Sequence, residues 1–136
     1  MIPGREVVME RNINVEIVNE SGAKVNIINL TPHKITFVTD KGNLSIDPSG
    51  EIARVSSTTK EVGYIYVSKF GIKIPTTTTV YGEVEGLPDP KENTIFVVSS
   101  LVAQRVPERE DVFIPNESVR DENGRIIGCR SFGHIW

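Results

Sequence analysis

Ser99 and Ser100 sit where the apolar run 94–98 gives way to Leu101-Val102-Ala103-Gln104-Arg105-Val106, and Pro107 closes that segment. Free backbone amides at a helix start attract anions, and two hydroxyls at the same place would add donors. The same serines serve equally as plain helix caps. Arg54, Arg105, Arg109 and Arg120 carry forked guanidinium groups suited to phosphate or carboxylate, where lysine would have sufficed for solubility. Glu108, Glu110, Asp111 and Asp121 offer those cations internal ion pairs as the alternative.

A second polar cluster lies between. On strands alternate residues share a face, so Arg54, Ser56 and Thr58 would line one surface and Thr77, Thr79 and Tyr81 another. A wall of hydroxyls with an aromatic and an arginine can hold a sugar or a nucleotide. Threonine is also simply a good strand residue. In the ligand reading Tyr81 stacks on a base and His33 or Glu83 bonds a sugar or base edge. The expected ligand-binding set is therefore His33, Arg54, Tyr81, Glu83, Ser99, Ser100, Arg105, Arg109 and Arg120.

Enzymatic chemistry finds less support. His33, His134 and Cys129 are the only imidazole and thiol groups, no CxxC or HExxH spacing occurs, and no metal or other cofactor is expected. The serines lack a GxSxG context, and Cys129 in an apolar strand reads as a small hydrophobe. An enzyme would have to use His33 as base with Glu83 or Asp111, and no nucleophile accompanies them.

These side chains need a scaffold, and the sequence predicts a mainly β one. The run 94–98 is rich in β-branched residues without polar alternation, as expected of a strand buried on both faces. Val15 and Ile17, then Val25, Ile27 and Ile28, flank Asn19-Glu20-Ser21-Gly22 and predict a first hairpin. Asp40-Lys41-Gly42-Asn43 between Ile35, Phe37 and Leu44, Ile46 predicts a second. Glu51 to Thr59 reads as a strand with Ile52 and Val55 inward; 63–67 and 72–75 form a pair around Lys69-Phe70-Gly71, and 76–81 adds more strand. Asp121-Glu122-Asn123-Gly124 is the clearest turn, since Asn-Gly suits positive backbone angles. The fold class that follows is an antiparallel sandwich or partly open barrel with one short helix. Residues 1–24 read as an N-terminal arm and first strand, and 25–136 as a single β-rich domain. Phe132, Ile135 and Trp136 are apolar enough to dock on the body or on a partner chain.

Length and charge set the outer bounds. A chain of 136 residues makes one domain, and its net charge of −3 argues against broad nucleic-acid binding. No apolar run approaches the ~18 residues that span a bilayer, so no membrane partner is expected. One cysteine and the absence of a signal-peptide core fit a reducing, cytoplasmic setting.

Taken together, Asn29-Leu30-Thr31-Pro32-His33, Pro48-Ser49-Gly50, Tyr81-Gly82-Glu83-Val84 with Gly86-Leu87-Pro88, and Val119-Arg120-Asp121 with 124–129 resemble a group of short uncharacterised phage-type and bacterial proteins. The resemblance covers about residues 28–132. It implies a small accessory protein in the cytoplasm of a bacterial host, with host takeover or counter-defence as the setting. The leading expectation is a non-enzymatic module that captures a small anionic, nucleotide-like ligand. The alternative is a structural or interaction protein that acts as a homo-oligomer or through a host partner.

Overall fold

The computed structural model describes residues 6–8 and 17–135. Among these residues nine strands and one helix follow in chain order: β1 (Glu6–Val8), β2 (Asn26–Asn29), β3 (Ile35–Thr39), β4 (Gly42–Ile46), β5 (Arg54–Val67), β6 (Ile72–Glu85), β7 (Thr94–Val97), α1 (Ser100–Arg105), β8 (Val112–Arg120) and β9 (Ile126–Gly133). Seven strands form a nearly closed, barrel-like sheet in the order β1-β4-β3-β9-β8-β7-β2, and β5 pairs only with β6. The protein is thus mainly β with one short helix, as its sequence predicts. No helix among the described residues is long and apolar enough to cross a membrane.

Local chemistry places the turns. Gly42, at φ 121°, lets β3 fold back on β4, and Gly124, at φ 80°, does the same between β8 and β9. Asp121 organises the second turn, its Oδ1 accepting from the amides of Asn123 at 2.8 Å and Arg125 at 3.0 Å. Ser99 caps α1 by accepting from the Val102 amide, and Val106 ends the helix before Pro107.

β7 is the centre of the sheet's packing. It runs parallel to β2 on one side and to β8 on the other, and α1 is the crossover that a parallel β7–β8 pair requires. Its side chains alternate between two cores, so both faces are buried as the sequence predicts. Phe96 joins Leu30, Ala53, Val98 and the α1 residues Val102 and Ala103. Val97 faces the other way, toward Ile35, Phe37, Ile46 and Cys129.

Two expectations change. The sheet is mixed rather than antiparallel: four of its six pairings, β1–β4, β2–β7, β3–β9 and β7–β8, are parallel. The predicted first hairpin shrinks to one bridge, Val18 to Lys24, around a turn where the Asn19 side chain accepts from the Ser21 and Ala23 amides. β2 pairs with β7 instead, because Ile27 and Ile28 then reach one core each. Val15 lies outside the described residues.

The other change is larger. Residues 54–85, expected as several short strands, form a single hairpin of two 14-residue strands. Gly63 and Gly82 do not break it, because local irregularities absorb them. Between Glu61↔Thr77 and Gly63↔Thr76, β5 advances two residues against one, which leaves Val62 as an extra residue. Between Val55↔Val84 and Ser57↔Tyr81, β6 advances three against two, and the extra residue falls at Gly82-Glu83. At ~3.3 Å per residue this arm is about 45 Å long, and only its base packs on the body, through Val55 and Val84.

The C-terminal segment docks on its own body. Phe132 stacks on Phe37 at 4.5 Å between ring centres, the His134 ring lies 3.9 Å from that of Phe113, and Ile135 packs against the core around Phe96.

Candidate functional site

The base of the arm is where most of the sequence motifs meet, and it is built largely from backbone. After β2 the chain turns through residues 30–34, held by the fully buried amide of Asn29. Asn29 Nδ2 donates to the carbonyls of His33 (2.8 Å) and Ile46 (3.2 Å), and Oδ1 accepts from Thr31 N (2.9 Å) and Thr31 Oγ1 (2.7 Å). The carbonyls of Asn29 and Leu30 in turn accept from the amides of Ser49 and Ala53. That fixes the segment feeding β5.

The returning strand is anchored from the other side. Gly86, at φ 83°, lies so close to residues 52–53 that a Cβ there would sit 2.4 Å from the Ile52 carbonyl oxygen. Two residues on, the Pro88 carbonyl accepts from Arg109 Nη2 at 2.9 Å. Arg109 also makes a forked contact with Asp111, Nε to Oδ1 at 2.8 Å and Nη2 to Oδ2 at 2.9 Å. This hydrogen-bonded pairing holds the Asp111 carboxyl below the usual carboxylate range and the Arg109 guanidinium above its own.

The nine predicted ligand-binding residues are distributed around this frame as follows. Arg105, in the last turn of α1, lies over the Tyr81 ring at 5.2 Å, a cation–π pair at the foot of the arm. Arg54 and Glu83 are exposed on the arm strands near the same end, and the Arg54 backbone faces that of Glu85. Ser99 is engaged as the helix cap, and the Ser100 hydroxyl accepts from Gln104 Nε2 at 2.9 Å. Arg109 is held by Asp111 and Pro88. Arg120 donates to the Gly124 carbonyl at 2.6 Å within the β8–β9 hairpin. His33 is exposed, and its carbonyl rather than its ring is tied into the Asn29 network.

Tyr81 and Arg105 are therefore brought together, whereas Arg109 ties its loop to Pro88 and Arg120 serves its own hairpin. A shallow groove of about 230 Å³ between β3, β8 and β9, lined by Ile35, Pro115, Ile126, Ile127 and Cys129 among others, contains none of the nine. Cys129 is buried with its Sγ 3.6 Å from the Thr36 carbonyl, and burial pushes its thiol above the ordinary range.

Sequence reasoning passed over the surface that the fold displays most openly, the outer half of the arm. Phe70 at its turn is 68% exposed, Ile65 59% and Tyr64 57%, with Tyr66, Ile72 and Ile74 exposed beside them. The signal was present as β-branched and aromatic residues at both odd and even positions of 62–80. Such a pattern implies two covered faces, yet among the described residues no layer covers either face of the outer half. Compared with known protein families, curated proteins and solved structures, the chain has no match.

Proposed function

We propose that the protein works as an interaction module whose binding element is the β5–β6 arm, mounted on the seven-stranded body. The observation that carries this reading is the exposure of large apolar side chains along the outer arm, in a chain whose remaining apolar residues mostly pack into two cores. An isolated two-stranded ribbon is marginal in water, so an arm of this length gains most of its order from whatever covers it. The four-way stitching at its base by Asn29, Ala53, Gly86 and Arg109 suits a mount that fixes the direction of a protruding element. The motif resemblance adds a setting: a phage-type accessory protein acting on itself or on a host component in a bacterial cytoplasm.

The test is to replace residues 62–76 with a two-residue Asn-Gly turn between the paired Glu61 and Thr77. The body's cooperative thermal transition is expected to persist, while complexes cross-linked in cells through the full-length protein disappear. Unfolding of the body, or complexes that survive the shortening, would remove the reading.

A second reading is supported by the Tyr81–Arg105 pair: a nucleotide-like anion held at the arm's foot, with Tyr81 as stacking platform and Arg105 as counter-charge. Calorimetric titration against a nucleotide panel tests it. Heat that is lost on Tyr81→Ala and Arg105→Ala supports capture, and silence from every phosphate-bearing compound ends it.

A further inference from the structure

Side-chain alternation through the two irregularities of the arm sorts its residues onto two faces. One face starts from Val55 and Val84 on the core and carries Tyr81 opposite Ser57, then Thr79 opposite Thr59. Beyond the extra residue Val62 it ends in Tyr64, and in Tyr66 paired with Lys73. Contacts agree with this assignment: Arg105 lies over the Tyr81 ring at the foot, and Lys73 Nζ stands 4.4 Å over the Tyr64 ring near the tip. The opposite face is aliphatic toward the tip and carries Lys60 midway.

We infer that the tyrosine face of the arm is a track for single-stranded nucleic acid, with bases stacked on Tyr81, Tyr64 and Tyr66 and phosphates set against Arg105 and Lys73. The inference rests on the reading of the arm as the binding element and names its partner; the Tyr81–Arg105 pair becomes one end of the track. Three observations select this chemistry. The pairing of ring with charge is the first. The face presents an exposed aromatic ring with a cation beside it at both ends, about 20 Å apart at ~3.3 Å per residue. Stacking on aromatic rings, joined to cations that meet the backbone, is how proteins hold single strands without regard to sequence.

What lies between those ends is the second. From Ser57 to Tyr66 and from Lys73 to Tyr81 the paired residues of this face include no Val, Ile or Leu; hydroxyl side chains fill its middle, and Glu61 is its one acid. Such a wall can donate to phosphate and sugar oxygens, whereas a protein partner would find no aliphatic core on it. Charge is the third. Residues 62–75 contain Lys69 and Lys73 and no acid, in a chain of net charge −3. A polyanion is therefore drawn to the arm alone, which agrees with the absence of the broad basic face that general nucleic-acid binding requires. A two-stranded ribbon also twists strongly, and a flexible single strand can follow its winding face. A duplex keeps its base faces buried and has nothing to offer the rings.

Fluorescence anisotropy of labelled oligothymidylate and oligouridylate, each of about ten nucleotides, with the purified full chain tests the proposal. Micromolar binding is expected in about 50 mM salt and should be about 7-fold weaker in about 200 mM, as neutralising two phosphates implies. A duplex of the same length should bind about 10-fold more weakly or less. Tyr64→Ala and Tyr66→Ala should each weaken binding about 5-fold or more, and Tyr66→Phe should retain it. Lys73→Ala should weaken it, whereas Lys60→Ala, the same loss of charge on the opposite face, should not. Circular dichroism on each variant confirms that the fold persists. No binding, equal binding of the duplex, or equal losses from Lys60→Ala and Lys73→Ala overturns the inference. Losses confined to Tyr81→Ala and Arg105→Ala leave only a site at the arm's foot and likewise overturn the track. If neither oligonucleotide binds while arm-dependent complexes still form in cells, the partner is a protein: the inference falls and the interaction module stands. If shortening the arm alters neither oligonucleotide binding nor those complexes, both fall.

Discussion

Gly86 lies against the Ile52 carbonyl so closely that a methyl group on it would approach the oxygen to 2.4 Å, and its φ of 83° is one that side chains disfavour. The segments entering and leaving the arm, at positions 34 residues apart in the chain, are thereby pinned together at the root. Gly86→Ala is expected to lower unfolding free energy by about 2–3 kcal/mol in urea. Gly50→Ala makes a control: it also has a positive φ but meets nothing within 4 Å, so its cost is confined to backbone strain of about 1 kcal/mol. Equal losses at the two sites would refute the close-approach argument.

Asn29 is a buried amide with each of its four hydrogen-bonding capacities matched. Asn29→Ala would leave the His33 and Ile46 carbonyls and the Thr31 amide without this partner, at a cost of about 2–4 kcal/mol. Asn29→Asp should be worse at neutral pH, since a carboxylate would face two carbonyl oxygens, and should recover partly in acid as it protonates. Denaturant titrations at two pH values separate the variants. An Asp variant as stable as wild type at pH 7 would show that the network is not what holds the loop.

The body of this fold was legible where signals were local. Asp40-Lys41-Gly42-Asn43 and Asn123-Gly124 named their hairpins, Ser99 and Pro107 bounded the helix, and the unbroken apolar run before Ser99 announced a strand buried on both faces. Strand partners were not legible, because a parallel neighbour such as β2 for β7 is chosen by long-range packing that leaves no turn in the sequence. The arm misled for the opposite reason. Gly63, Gly82 and Pro75 carry breaker chemistry, and only the paired registers reveal that extra residues at Val62 and Gly82-Glu83 accommodate them. Of the nine expected site residues, spread from His33 to Arg120 in the chain, the fold sets Arg105 over the Tyr81 ring, a contact that no local signal announces. The remaining arginines illustrate why composition alone overstates a pocket: Arg109 has an acid two residues away, and Arg120 a carbonyl four residues away.

The raised thiol pKa of Cys129 follows from burial between β3 and β8, so little thiolate exists at neutral pH and its sulfur is shielded. Labelling by a disulfide reagent such as DTNB should be slow in the native protein and become rapid, with one thiol per chain, once denaturant unfolds it. Prompt labelling of the folded chain at pH 7 would mean that the β3–β9 seam opens far more readily than its packing implies.

Arg109 and Asp111 give the anchor a pH dependence of defined sign. Both side chains are largely withdrawn from solvent, at 17% and 18% exposure, and their forked contact depresses the Asp111 pKa in the folded state. A carboxyl with a lower pKa folded than unfolded contributes stability that is complete above the unfolded value of about 4. That contribution is lost as pH falls through the folded value. Wild-type stability should therefore decline below about pH 4 more steeply than that of Asp111→Asn, which is uncharged throughout. At pH 7 Asp111→Asn should be less stable by about 1–2 kcal/mol, because Arg109 keeps Pro88 but loses its counter-charge. Arg109→Lys should fall between the two, since one ammonium cannot reproduce the fork to both carboxylate oxygens while also reaching the Pro88 carbonyl. Thermal melts of the three proteins from pH 3 to pH 8 provide the measurement, and parallel curves for wild type and Asp111→Asn across that range would show that the pair contributes nothing to holding the arm's root.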